Sequence, residues 1–261
     1  MQNFHSLPTP GARSAAPTAT LPGDASHPGV VSRPVSHVPP PKRHPYDQWS
    51  PDARALDLVG DKWTLLIIRD LASGPRRFVE LQRTLPGIST EQLRSRLNRM
   101  VADGLLTRQR FREVPPRVDY ELTERSRELM PVVGALARWG YDWTWSAPRA
   151  GERVDIGAIL RVAPGLLQLP AGVEGTVECL VQADDGSERH HLLTVAGGRV
   201  AIEERPGDRP DARVAGSTAA WVRALGPEAG LDALEVSGNR RLAEVVLGAF
   251  AAAATRAVAA A

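Results

Sequence analysis

Residue types that support covalent cross-links, metal centres and membrane spans are scarce in this sequence. Among 261 residues only Cys179 is a cysteine, which excludes a disulfide within the chain and suits a reducing cytosol. The histidines and the cysteine lack the spacing of a zinc site. There is no apolar run of about 18 residues and no secretory leader with a basic start and an apolar centre. We therefore expect a cytoplasmic protein that needs no cofactor and does not associate with a membrane.

Motifs of catalysis are missing as well, and this favours a protein that is not an enzyme. The sequence contains no nucleophile elbow, no phosphate-binding loop and no paired acid motif. Its charge is unevenly distributed. Residues 50–150 hold 17 Arg and Lys against 13 Asp and Glu, whereas residues 151–261 hold 11 against 15. The basic middle suits a polyanion, although ordinary scatter of surface charge is the alternative explanation.

The composition divides the chain into three parts. Ten of the first 45 residues are proline, and few large apolar side chains accompany them. Proline denies the backbone regular hydrogen bonds, so residues 1–45 are predicted to be a disordered tail. A first domain is predicted over residues 46–146 and a second over residues 147–261.

The stretch Phe78–Leu122 has the order helix, turn, helix and β-hairpin. After the first short helix, Ser89 and Gln92 form a capping box that starts a second helix. Two strand-like runs, Leu105–Phe111 and Val118–Leu122, follow with a basic, proline-containing link between them. This order predicts a winged helix-turn-helix.

The second helix of this unit is predicted to enter the major groove of DNA. Arginine suits guanine and glutamine suits adenine, because those base edges present two acceptors or an acceptor and a donor. Arginines alternate along the first wing strand, and arginine at a wing tip suits the narrow minor groove. The alternative is an amphipathic helix whose polar face meets only water. The predicted DNA contacts are Arg77, Thr90, Gln92, Arg94, Ser95, Arg96, Arg99, Arg112 and Arg117.

The segments WSPDARALDLVGDKWTLLIIRDLASGPRRFVELQRTLPGIS and EVPPRVDYELTE resemble the HxlR-type family of bacterial winged-helix transcriptional regulators. The resemblance covers about residues 46–140 and implies a homodimer on a palindromic operator in double-stranded DNA. It also implies that the segment from Ser50 and a helix from Thr123 to Trp139 form the dimer contact. Many members carry a cysteine before the proline of the first helix, and some use it to sense oxidants or aldehydes. Ser50 stands there in this chain, and because serine forms no thiolate, thiol sensing at this position is excluded.

The C-terminal half has strand patterns followed by helical ones. Its segments AGSTAAWVRALGP and LEVSGNRRLAEVVLGAF resemble the SCP2 (sterol carrier protein) fold, a small mixed sheet covered by helices around an apolar tunnel. That resemblance implies binding of lipids, acyl chains or other apolar small molecules without a metal. Each predicted ligand-binding residue has plain core packing as its alternative. These residues are Trp143, Leu193, Val195, Trp221, Leu225, Leu234, Leu242, Val246 and Phe250.

Together these features predict an α+β protein with an N-terminal winged helix-turn-helix domain and an SCP2-like ligand-binding domain. The predicted function is that of a homodimeric DNA-binding transcriptional regulator, controlled by an apolar or aromatic small molecule in the C-terminal domain. Two alternatives remain open. One is an SCP2-like carrier or enzyme that uses the winged helix as a dimer scaffold, and the other is a DNA-binding regulator that responds to no ligand.

Overall fold

The computed structural model describes residues 45–114, 116–227 and 230–255. The predicted tail lies outside these residues except for its last position, and so does Pro115 in the predicted wing. None of the helices within these ranges combines the length and the apolar composition that a membrane span requires. The same ranges contain no group of three or more His, Cys, Asp or Glu side chains that could hold a metal ion.

The first domain begins with four helices whose ends are set by local capping. Ser50 caps the first helix by accepting a hydrogen bond from the backbone N–H of Ala53 (3.3 Å). The predicted capping box of Ser89 and Gln92 is confirmed, since each side chain accepts from the other's backbone N–H at 3.1 Å. The helices are α1 (Pro51–Val59), α2 (Thr64–Leu71), α3 (Phe78–Thr84) and α4 (Thr90–Ala102).

The wing is part of a three-stranded antiparallel sheet. Its strands are β1 (Arg76–Arg77), β2 (Leu106–Phe111) and β3 (Arg117–Leu122), in the order β1-β3-β2. The two predicted wing strands are confirmed to within a residue at each end. The short strand β1 was not predicted, because two residues between a turn and a helix leave no periodicity to detect.

The predicted connecting helix is divided in two. Thr123 caps α5 (Glu124–Arg127), and a separate helix, α6 (Met130–Trp143), follows. Four large apolar residues of α6 that have helical spacing are not buried in the single chain. They are Val132, Leu136, Trp139 and Trp143, which are 47–73% exposed.

The C-terminal half is a five-stranded mixed sheet with helices against it. The sheet order is β6-β5-β4-β7-β8, in which only the β4–β7 pair is parallel. Ser217 caps the change from strand to helix in this half, because its side chain accepts a hydrogen bond from the backbone N–H of Ala220 at 3.2 Å. The elements are α7 (Ile156–Leu160), α8 (Ala163–Leu166), β4 (Gly175–Gln182), β5 (Glu188–Ala196), β6 (Arg199–Glu203), β7 (Ala212–Ser217), α9 (Thr218–Leu225), β8 (Glu235–Gly238) and α10 (Arg240–Thr255), with a 3₁₀ turn at Leu231–Ala233.

The two halves share one continuous hydrophobic core. The helices α6 and α8 pack closely, and two glycines face each other where they meet. A Cβ atom on Gly134 would lie 2.0 Å from the carbonyl oxygen of Gly165, and one on Gly165 would lie 1.9 Å from that of Met130. Only residues without a side chain fit here, so the helices pack backbone against backbone and the two halves are held at a fixed spacing.

Candidate DNA-binding surface and its link to the C-terminal half

The helix α4 has one deeply buried stripe and an exposed polar start. Leu93, Leu97 and Met100 are at most 1% exposed and anchor the helix in the core. Thr90, Glu91, Gln92 and Arg94 are exposed on the first two turns. The N-terminal part of such a helix is the part that enters the major groove in helix-turn-helix proteins.

The arginines of α4 have three different surroundings. Arg94 is exposed and pairs with Glu91 across one turn at 2.9 Å, a pair that water weakens. Arg96 is bound at 2.9 Å to Asp61, which precedes α2. Arg99 is only 8% exposed, so in this conformation its side chain is not available to DNA. Of the three predicted contacts, Arg94 is therefore the one presented to solvent, and Arg96 connects α4 to the start of α2.

Two polar residues of α4 already have partners within the helix-turn-helix. The Oε1 atom of Gln92 accepts the backbone N–H of Ser89, so the capping box engages part of the amide that adenine recognition would use. Thr90 accepts a hydrogen bond at 2.8 Å from the Nε2 atom of Gln82 on α3. This bond joins the two helices of the motif and fixes their relative position. Ser95 is half-buried.

The wing presents a cluster of basic side chains. Arg77, at the start of α3, is exposed. Arg110 on β2 and Arg112, which directly follows β2, are exposed as well. Arg117 is instead bound by Asp119 through its Nε atom at 2.9 Å, and its guanidinium lies 5.0 Å from the centre of the Phe111 ring. The carboxylate of Asp119 raises the pKa of Arg117, so the cation is permanent. Asp119 and Phe111 thus hold Arg117 beside the loop that joins β2 and β3.

Comparison with known proteins places this arrangement in a family. The family model of HxlR-like helix-turn-helix proteins matches residues 58–147. The uncharacterized HTH-type transcriptional regulator sll1512 of Synechocystis sp. is 42% identical over 93 residues, which are 36% of this chain and 69% of that protein. The chain belongs to the HxlR-like helix-turn-helix family. It is a transcriptional regulator with a helix-turn-helix DNA-binding domain.

Other relatives match a similar share of this HxlR-like chain. The uncharacterized HTH-type transcriptional regulator Mb3122 of Mycobacterium bovis is 44% identical over 90 residues, 34% of this chain and 56% of that protein. Among solved structures, the redox regulator HypR in its reduced form is 37% identical and has a TM-score of 0.34. The match covers 35% of this chain and 90% of the HypR chain. The family match ends at residue 147, where the predicted second domain begins.

A buried ionic cluster joins the HxlR-like domain to the C-terminal half, and the sequence did not reveal it. Arg161, whose side chain is 2% exposed, lies after α7 and meets three carboxylates. Its nitrogen atoms are 3.3 Å from Asp70 of α2, 2.8 Å from Asp155 and 2.6 Å from Glu204. Arg76 of β1 pairs with the same carboxylate of Glu204 and donates to the backbone oxygen of Asp70 at 2.6 Å.

The charges of this cluster compensate one another. Burial alone would raise the pKa of Asp155 and of Glu204, but the nearby arginines outweigh burial and hold both pKa values below the usual range. His191 lies beside the cluster with its Nδ1 atom 3.8 Å from Glu204 and is 2% exposed. Burial lowers the pKa of His191 to about 4, against the partial opposition of Glu204, so this ring is neutral at pH 7.

Most residues predicted to bind a ligand are packed in the core. Eight of the nine are 0–7% exposed within the C-terminal half, namely Leu193, Val195, Trp221, Leu225, Leu234, Leu242, Val246 and Phe250. The indole N–H of Trp221 donates to the backbone oxygen of Leu180 at 3.0 Å, which fixes that ring. Trp143 is 73% exposed on α6. Leu225 alone of the nine lines the cavity of about 540 Å³ that lies between the two halves.

Proposed function

We propose that this HxlR-like regulator binds double-stranded DNA as a homodimer and that the C-terminal half controls the binding in response to a small molecule. The observation that supports DNA binding most strongly is the asymmetry of α4. Its buried stripe is anchored in the core, while its capped first turns present Thr90, Glu91 and Arg94 to solvent beside a basic wing. In this proposal Arg94 contacts bases or phosphates of the major groove, and Arg112 contacts the flanking backbone.

The DNA assignment is tested with fragments that the purified protein selects from a random DNA library. Arg94→Ala is expected to weaken binding to a selected fragment about fivefold or more, since a good arginine–guanine pair contributes about 1–3 kcal/mol. Arg112→Ala is expected to weaken all fragments alike and to reduce the slope of log affinity against log salt by about 1. Arg199→Ala is the matched control, because Arg199 is an exposed arginine on β6 of the C-terminal half. If both variants bind as the control does, the proposed DNA surface is wrong.

The homodimer is proposed from the exposed apolar face of α6. Val132, Leu136, Trp139 and Trp143 follow one another at intervals of four, three and four residues, and so form one stripe along the helix. Leu56 of α1 is 47% exposed as well. Contiguous apolar surface of this kind marks an interaction site, and a twofold dimer buries the same stripe on both partners. The occupant proposed is therefore a second copy of the chain.

Sedimentation of the full chain tests the dimer. The wild type is expected to sediment as a dimer and Leu136→Asp as a monomer, because the carboxylate would be buried without a partner. Val114→Asp places the same charge on a fully exposed position of the wing and is expected to leave the dimer intact. A monomeric wild type, or a dimer that tolerates Leu136→Asp, contradicts the proposed interface.

Effector control is proposed because the two halves are joined through elements that also position α4. Arg161 and Glu204 of the C-terminal half bind Asp70 of α2 and Arg76 of β1. A ligand that favours one arrangement of the C-terminal half would therefore shift the helix-turn-helix as well. The corresponding test is a screen of small molecules by thermal shift, followed by DNA titration with each compound that stabilises the protein.

A further inference from the structure

The cavity between the two halves is walled by parts of the DNA-binding domain and of the C-terminal half. Trp63 and Leu66 of the α2 region and Leu85 of the turn between α3 and α4 form one side. The rest of the lining comes from the segments 145–148 and 152–155, from Ala158 and Ile159 of α7, and from the end of α9. Its volume of about 540 Å³ falls in the range of small-molecule sites, about 300–1,000 Å³.

The walls are mainly apolar and include two tryptophans held in different ways. Trp145 donates its indole N–H to the backbone oxygen of Leu225 at 3.2 Å and meets the ring of Tyr141 edge to face at 5.2 Å. Trp63 is partly buried against the core, and the ammonium of Lys62 lies 4.9 Å from the centre of its ring. Aromatic rings in the wall of a cavity suit an apolar or aromatic ligand.

Among the residues that the structure describes, the uncompensated charge around the cavity is positive. Its two acidic residues already have cations, since Glu152 is bound by Arg149 at 3.3 Å and Asp155 by Arg161 at 2.8 Å. Three lining cations, Lys62, Arg153 and Arg223, are exposed and form no ion pair with any side chain in the described ranges. An acidic group on the ligand would therefore find cations at the rim while its apolar part lies between the tryptophans.

We propose that this interdomain cavity binds a small amphiphilic anion, an aromatic or medium-chain acid, and that its occupancy sets the affinity for DNA. The claim of ligand binding is argued from the cavity alone, whereas the claim of control over DNA affinity rests on the proposed function. The cavity is lined in part by the turn that leads into α4. Leu85, 1% exposed, and Pro86 line it, and the chain reaches the cap of α4 at Ser89 three residues later.

Binding is tested with two fluorescent probes of similar shape and different charge. They are 8-anilinonaphthalene-1-sulfonate, an aromatic anion, and N-phenyl-1-naphthylamine, which is neutral. The full-length wild type is expected to bind both probes and the anion more tightly. Ala158→Phe, which fills the cavity from α7, is expected to weaken both about tenfold or more, a change of about 1.4 kcal/mol. Its far-ultraviolet circular dichroism and its urea midpoint establish that it folds.

A charge-reversal variant tests the anion preference without touching the core. Arg153→Glu combined with Arg223→Glu is expected to weaken the sulfonate about fivefold or more and to leave the neutral probe within about twofold. Both residues are exposed, so folding is expected to be unaffected. Arg199→Glu is the matched control on an exposed strand residue remote in sequence from the cavity. If the charge-reversal variant loses affinity for both probes equally, or keeps its affinity for the sulfonate, the anionic assignment is wrong, even if Ala158→Phe fails to fold.

The regulatory part is tested by DNA titration of the full chain with and without saturating sulfonate probe. The affinity of the wild type for a selected fragment is expected to change about threefold or more, and that of the charge-reversal variant to stay constant at the same probe concentration. Probe binding without any change in DNA affinity overturns the regulatory part. A chain that binds the probe but no DNA at all contradicts the proposed function and leaves the binding site standing.

Discussion

Replacing Arg161 by methionine tests whether the ionic cluster holds the two halves together. Methionine keeps an extended aliphatic side chain and removes the charge that meets Asp70, Asp155 and Glu204. Asp70 is 0% exposed and would retain Arg69 at 2.8 Å, but Asp155 would lose the only ion pair that it has within the described ranges. Removing one partner of a buried ion pair typically costs about 3–5 kcal/mol, because the remaining charge stays buried. We expect the free energy of unfolding at pH 7 to fall by about this amount.

The measurement is urea unfolding followed by tryptophan fluorescence and by circular dichroism. Arg205→Met is the matched control, since Arg205 pairs with Glu203 beside the cluster but both side chains are about half exposed. The free energy of unfolding of Arg205→Met is expected to stay within about 0.5 kcal/mol of the wild-type value.

The pH dependence gives a second check on the Arg161 variant. The lowered pKa values of Asp155 and Glu204 mean that their stabilisation is present above the pKa of the unfolded chain and lost as the pH falls through the folded pKa. The difference between wild type and Arg161→Met should therefore shrink in acid. A loss of less than about 1 kcal/mol at pH 7, equal to the control, would refute the buried-pair argument.

Three further predictions concern single residues. The pKa of His191 is about 4 in the fold and 6.5 in the unfolded chain, so the free energy of unfolding should fall by about 3 kcal/mol as the pH is lowered from 6.5 to 4. His191→Gln should abolish this part of the dependence of the urea midpoint on pH. Gly134→Ala should lower the free energy of unfolding by about 1–3 kcal/mol, since the methyl group meets a backbone oxygen of α8, whereas Gly248→Ala, in open space on α10, should not destabilise. Asp61→Asn should free Arg96 and steepen the salt dependence of DNA binding by about one unit, and an unchanged slope would place Arg96 away from DNA.

Features set by neighbouring residues could be predicted from the sequence. The Ser50 cap, the capping box of Ser89 and Gln92 and the cap at Ser217 each depend on groups within three residues, and all three are present. The strand β6 is equally local in character, because its residues are alternately exposed and buried, which is the period of two of a strand with one buried face. The strands β4 and β5 each bury three successive residues and do not follow this alternation. Cys179 is buried, and burial raises the pKa of its thiol to about 12.

Features that depend on distant partners could not be predicted in this way. The apolar stripe of α6 has the same spacing whether it packs inside the chain or against a second copy, so Leu136 and Trp139 were not distinguishable from core residues. Arg161 and Glu204 are 43 positions apart, and nothing near either one indicates that the two meet. Arg96 was predicted from its position on the helix alone, and its pairing with Asp61 depends on how α2 packs against α4.

The position of Asp61 suggests how the interdomain cavity and the DNA surface are connected. Its Oδ1 atom accepts the backbone N–H groups of Trp63 and Thr64 at 2.8 and 3.1 Å and so fixes the start of α2, while its Oδ2 atom pairs with Arg96 of α4 at 2.9 Å. Trp63, two residues after Asp61, lines the cavity. A ligand that displaces the Trp63 ring therefore acts on a residue whose N–H is bound to the same carboxylate that holds Arg96. In the proposed control by a ligand, such a displacement would be transmitted to α4 through Asp61, while the buried Arg161 holds Asp70 at the other end of α2.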